Sequence, residues 1–98
     1  MPDRYRFRAA QSLIQLIRSL HPDLRRKVRA GIDAIREDPS AGKELRDDLG
    51  GLQSLRVGRF RIIYRIAGRR VIELIDVGPR RTIYEETFRL IRRERGGR

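Results

Sequence analysis

Arg56, Arg61, Arg80, Arg81 and Tyr84 have the side-chain types and the spacing to bind and polarise a phosphate ester. Arg56 and Arg61 flank a Gly58-Arg59 turn. Arg80 and Arg81 close a third apolar run, and Tyr84 follows shortly after. A guanidinium presents a planar fork of donors that matches a phosphate bidentately and stays charged at any physiological pH. A phosphodiester under attack gains negative charge, which fixed cations beside it stabilise. The same residues also fit a plainer arrangement, solvated arginines on an exposed sheet face with Tyr84 in the core.

Which arrangement holds depends on the elements that carry them. Leu52 to Val57 reads as a strand with Gln53, Leu55 and Val57 on one side and Leu52, Ser54 and Arg56 on the other. Phe60 to Ile66 reads as a second, with Phe60, Ile62, Tyr64 and Ile66 on the apolar side and Arg61, Ile63 and Arg65 opposite. Joined by the Gly58-Arg59 turn, the two strands put Ser54, Arg56, Arg61 and Arg65 on a shared face. Arg70 to Val77 is apolar on both faces, as a strand covered on each side would be. Gly78-Pro79 ends it. Thr82 and Glu85 then fit a capping box that opens a closing helix, with Tyr84, Phe88 and Ile91 at helical spacing.

The first half supplies the packing layer. Tyr5-Arg6-Phe7-Arg8 alternates, which predicts a short strand with Tyr5 and Phe7 toward the core. Leu13, Ile14, Leu16, Ile17 and Leu20 form the stripe of an amphipathic helix over about 9–20. Pro22 suits the first position of a second helix, and Asp23 complements its positive end. That helix runs to about Arg36 with Leu24, Val28, Ile32 and Ile35 on one face, and Asp38-Pro39-Ser40-Ala41-Gly42 stops it. The short link predicts an antiparallel helical hairpin. His21, at the junction, reads as a cap or a surface residue rather than a catalyst. Lys43 to Gly51 reads as a polar loop.

The 98 residues support one domain spanning 1–98. Net charge is +11, and all basic residues except Lys27 and Lys43 are arginine. Such a surface is drawn to polyanions such as nucleic acid, a ribosome or an acidic protein, although compositional bias alone would also favour arginine over lysine. There is no cysteine and one histidine, so the usual transition-metal ligand sets are missing and no cofactor is expected. No glycine-rich nucleotide loop occurs. No segment approaches the roughly 18 apolar residues of a membrane span, and the N-terminus lacks the apolar core of a signal peptide, so a cytoplasmic protein without membrane contact is expected.

Gly51-Leu-Gln-Ser-Leu-Arg-Val-Gly-Arg-Phe-Arg-Ile-Ile-Tyr64, followed by Ile75-Asp-Val-Gly-Pro-Arg-Arg-Thr-Ile-Tyr84, resembles the RelE/ParE toxin superfamily of bacterial toxin–antitoxin modules, and Glu37 to Leu49 resembles the stretch before its sheet. The likeness covers almost the whole chain. It implies an α+β fold with an antiparallel-rich sheet of about four strands, an N-terminal helical hairpin and a short C-terminal helix. The RelE-like branch implies an endoribonuclease that cuts mRNA in the ribosomal A site without a metal, by attack of the ribose 2′-hydroxyl on the neighbouring phosphate. By that resemblance Arg61, Arg80, Arg81 and Tyr84 are the catalytic candidates, and Arg56, Arg59 and Arg65 the RNA-binding ones. Positions that are usually basic hold Leu52 and Ser54 here. Since arginine keeps its proton, Tyr84 is the candidate base, and a phenol needs positive charge beside it for that role. The implied partners are mRNA, the ribosome and a cognate antitoxin with an acidic, partly disordered segment that folds across the basic sheet face. A ParE-like inhibitor of DNA gyrase and a non-catalytic antitoxin-binding relative are the alternatives.

Overall fold

A computed structural model of the chain describes residues 5–96. Five strands and three helices follow in the order β1 (Arg6–Ala9), α1 (Gln11–Arg18), α2 (Pro22–Glu37), β2 (Lys43–Glu44), β3 (Gln53–Val57), β4 (Phe60–Ile66), β5 (Val71–Pro79) and α3 (Ile83–Gly96). They build one sheet in the order β1-β5-β4-β3-β2. β1 runs parallel to β5, and the other pairs are antiparallel. The expected α+β class holds, with one strand more than the count of four. The addition is β2, in the stretch read as a loop. Lys43 and Glu44 pair with Ser54 and Gln53 along an edge, where two polar residues need no buried face and leave no hydrophobic pattern.

The helices close on both sides of the sheet. α1 and α2 cover one face, where Leu13, Val28 and Ile35 meet Val57, Ile62, Tyr64, Ile72, Leu74 and Val77, with Tyr5 and Phe7 packed alongside. α3 covers the other, where Leu52, Ile63, Ile83 and Ile91 form a second, smaller cluster. The strand alternation read from sequence therefore holds for β3 and β4. Two helical stripes need correcting. Leu16, counted in the α1 stripe, is 41% exposed, while Leu13 is buried. In α3 the buried positions are Ile83, Thr87 and Ile91; Tyr84 and Phe88 lie at the margin. The helix rotates so that its narrow apolar side meets Ile63, which frees Tyr84 to lean over β3.

β5 departs from regular alternation once. Ile63 pairs with Asp76 but Tyr64 pairs with Leu74, so Ile75 is an extra residue in a bulge. Before it, Ile72 and Leu74 face α1 and α2; after it, Val77 does. The slip places Ile75 and Asp76 both on the α3 side.

Local chemistry sets the connections. His21 caps α2, its Nδ1 accepting the Asp23 N–H at 3.3 Å. Gly58 (φ 64°) and Gly68 (φ 64°) sit in the β3–β4 and β4–β5 turns in the left-handed conformation that costs glycine little. The buried Tyr64 hydroxyl donates to the Pro39 carbonyl at 2.7 Å and accepts the Gly42 N–H at 2.9 Å, which ties the α2–β2 connection to the core. Burial raises the Tyr64 phenol above its ordinary value, the Gly42 N–H opposes that, and the Asp38 charge adds to it.

Gly31 lets α2 lie close on the sheet. A β-carbon there would stand 2.6 Å from Val57 Cγ1 and 2.9 Å from Ile62 Cδ1. Gly31→Ala is expected to destabilise the fold by about 1–2 kcal/mol. Overpacking of about 1–3 kcal/mol outweighs the helix preference of alanine, about 1 kcal/mol. Urea unfolding should show a lower midpoint at unchanged slope; an equal or higher midpoint would refute the close approach.

Candidate functional site

The site is built on the α3 face at the end of the sheet where two turns meet. The Arg80 N–H donates to the Arg59 carbonyl at 2.8 Å, which joins the β3–β4 turn to the β5–α3 turn. Arg59, Arg80 and Arg81 are all exposed there. Arg56 and Arg61 stand directly opposite each other across β3 and β4. Arg56 is exposed and its Nε donates to the Gly58 carbonyl at 3.2 Å.

Arg61 is half-buried and points into a contact with Tyr84. Its guanidinium carbon lies 5.8 Å from the centre of the Tyr84 ring. Its Nη1 donates to Ser54 Oγ at 3.0 Å, and the Tyr84 hydroxyl donates to the same Oγ at 3.1 Å. Ser54 is 2% exposed and so makes a fixed post between the two candidates. The Arg61 Nε is buried without a partner. Tyr84 reaches this post because α3 starts at Ile83, directly after Thr82. The Thr82 carbonyl accepts the Glu86 N–H at 3.1 Å as the expected cap position, while the Glu85 carboxylate turns to Arg89 at 3.4 Å.

The structure thus brings Arg61 and Tyr84 into one cluster and places Arg56, Arg59, Arg80 and Arg81 around its exposed end. Arg65, on the same face, is engaged elsewhere. Its Nε meets Glu73 at 2.7 Å and its Nη2 meets Glu94 at 3.3 Å. Burial works against its charge, but the two carboxylates outweigh that and hold its pKa above the ordinary value. Arg8 also reaches Glu73, at 3.7 Å.

In the sequence Ser54 shows as a member of the shared strand face and as a departure from a basic pattern. Its role as a shared hydrogen-bond partner follows from cross-strand register, since Ser54 pairs with Ile63 and sits diagonal to Arg61. A serine hydroxyl has one donor and two acceptor positions and rotates freely. It can accept from both neighbours, as here, or donate to a Tyr84 oxygen that has lost its proton. Among the described residues no group of three or more His, Cys, Asp or Glu is placed to hold a metal ion. None of the described helices is long and apolar enough to cross a membrane.

A small sheet with a helical hairpin on one face and a short closing helix on the other is the architecture of RelE-type toxins. The structure aligns with a chain of the toxin–antitoxin complex RelBE2 from Mycobacterium tuberculosis at TM-score 0.68 and 26% identity, over 80% of this chain and 100% of that one. A free mutant form of the Escherichia coli toxin RelE aligns at TM-score 0.71 and 20% identity, over 93% and 98%. A chain of the archaeal RelE–RelB complex from Pyrococcus horikoshii aligns at 0.62 and 24%, over 78% and 94%. A search of curated protein sequences gave no significant match. The family model for the ParE toxin of type II toxin–antitoxin systems matches residues 4–84, and the chain belongs to that family.

Proposed function

We propose that this toxin acts on RNA, as an endoribonuclease that cuts mRNA in the ribosomal A site and is held inactive by a cognate antitoxin. The observation that carries the reading is the placement of Arg56 directly opposite Arg61, beside Tyr84. Like charges opposite one another on a sheet repel. A phosphate between them would turn that repulsion into two charge-assisted contacts.

In this reading Arg61 holds the scissile phosphate and takes up the charge that grows on it. Tyr84, entering the step as the phenolate, accepts the proton of the ribose 2′-hydroxyl as that oxygen attacks phosphorus. The bond to the 5′-oxygen breaks and that oxygen takes a proton from solvent, leaving a 2′,3′-cyclic phosphate and a 5′-hydroxyl. Before the transfer to Tyr84, Ser54 donates to the phenolate, and Arg61 lies against the same ring. Arg80 or Arg81 meets the phosphate or the leaving oxygen, and Arg56 and Arg59 hold the flanking backbone. Arg65, spent on Glu73 and Glu94, has a structural part.

An antitoxin partner is supported by the relatives solved as toxin–antitoxin complexes. A groove of about 420 Å³ also supports it, on the α1–α2 face of the sheet rather than on the basic face expected from the sequence. Phe7, Ile14, Ile17 and Leu74 give it an apolar lining, and Arg25 and Arg29 are among its cations. An acidic amphipathic segment fits that combination.

The test is primer extension on mRNA from translating ribosomes after addition of the folded toxin. Cuts between A-site nucleotides are the expected result. A folded toxin that leaves the mRNA intact would refute the nuclease reading. The match to the ParE family model favours a second reading, a gyrase-binding toxin, and the same preparation assayed for gyrase-dependent DNA cleavage tests it.

A further inference from the structure

The first turn of α3 rests on a contact between two acids. The bulge at Ile75 turns Asp76 under the helix, where it is 4% exposed. Its Oδ1 accepts the Val77 N–H at 2.9 Å, and its Oδ2 is buried without a hydrogen-bond partner. Glu86, one turn into α3, lies within hydrogen-bonding reach of it. Glu86 Oε1 also sits 4.0 Å from where a β-carbon on Gly78 would be, which places it over β5. Beside them the Thr87 hydroxyl is fully buried and also unpartnered.

We propose that Asp76 and Glu86 hold one proton between them, and that this proton is the latch that seats the first turn of α3, and with it Tyr84, on the sheet. A carboxyl as buried as Asp76, with a second carboxyl in hydrogen-bonding reach, cannot ionise beside it without strong repulsion. With one proton shared, the buried Oδ2 becomes a donor and its lack of a partner disappears. Burial first, and Glu86 second, push the Asp76 carboxyl up to about 7, against the lowering effect of the Val77 N–H.

The groups facing the pair leave this balance in place. From β4 come Arg61, whose guanidinium is turned toward Ser54 and the Tyr84 ring, and Arg65, held by Glu73 of β5 and by Glu94. From α3 come Glu86 itself and Tyr84, whose hydroxyl turns to Ser54; Glu85 turns to Arg89. The latch is closed while the proton is present and opens as it leaves, so Tyr84 is held over Arg61 at lower pH and released at higher pH. This names a control on the site proposed above, and depends on that proposal only for its effect on catalysis.

Amide hydrogen exchange over Ile83–Ile91, corrected for intrinsic rates and referenced to β4 amides, tests the latch without ribosomes. The wild type should open α3 about tenfold more at pH 8 than at pH 6, one unit either side of the titration. Asp76→Asn, whose carboxamide imitates the protonated acid, should stay protected at pH 8. Glu86→Gln changes an exposed side chain and removes the second cause, so it should weaken the dependence while burial of Asp76 keeps part of it. Equal protection of the wild type at both values, or a dependence that Glu86→Gln leaves undiminished, would overturn the proposal. A toxin without nuclease activity but with this pattern would keep the latch and lose only the proposed reaction.

Discussion

Arg61→Ala is expected to lower mRNA cleavage on translating ribosomes by about 100- to 1,000-fold, the usual loss when one fixed donor to a developing oxyanion is removed. Arg61 is the candidate cation in direct contact with the candidate base, through Ser54 and across the ring face. Its removal takes away the charge on the phosphate and the charge beside the phenol together. Tyr84→Phe is the sharper probe of the proton transfer. It keeps the ring against Arg61 and removes only the oxygen, and should cost about 100- to 10,000-fold. The double variant should be little worse than the poorer single one, because both act through one unit. Single-turnover cleavage on A-site-programmed ribosomes measures all three. Wild-type cleavage by Tyr84→Phe would remove Tyr84 as the base.

Stability should fall as pH rises from about 4 to about 7, by an amount set by Asp76. Its folded-state pKa, raised to about 7, lies above the 3.8 of an ordinary aspartate. Over that interval the native state binds a proton that the unfolded state does not, so each rise in pH favours unfolding. The stabilisation is fully present below the unfolded value and is lost once the pH passes the folded one. At 1.36 kcal/mol per unit the difference is on the order of 4 kcal/mol. Asp76→Asn has no carboxyl to ionise at this position. It should match the wild type near pH 4 and exceed its stability by a few kcal/mol at pH 8, in urea titrations at each pH. The difference between the two proteins removes the general effect of a net charge of +11. A constant difference across the range would show that Asp76 carries no such proton.

The two effects share one cause, the way α3 sits on β4 and β5. One end of its first turn meets Ser54 and Arg61 through Tyr84, and the other meets Asp76 through Glu86. The helix buries only Ile83, Thr87 and Ile91, one of them polar. Apolar contact alone gives it a narrow hold, so polar contacts at its start have a large share in fixing its position.

Much of the frame follows from period and punctuation. Alternation in β3 and β4 assigns Ser54, Arg56 and Arg61 to one face, because a strand has no freedom to point neighbouring residues the same way. Proline at the start of α2 and glycine in the two turns mark the ends of elements for equally local reasons. The family resemblance carried by the Gly51–Tyr64 and Ile75–Tyr84 stretches is likewise a property of the chain itself, and the match over residues 4–84 agrees with it.

What the chain alone left open depends on contacts between distant residues. Arg65 has the same type, strand and parity as Arg61, yet it is taken up by Glu73 and Glu94. Only the docking of α3 brings Glu94 within reach. Ser54 is an unremarkable small polar residue until register sets it between Arg61 and Tyr84. Asp76 has the parity of Ile72 and Leu74, and regular alternation would aim it into the core under α1 and α2. One extra residue in β5 reverses its face and sets it against Glu86. Local periodicity therefore determined which residues share a strand face. Tertiary packing decided which charges are free, which are neutralised and which must share a proton, because those outcomes depend on through-space distances that spacing along the chain does not encode.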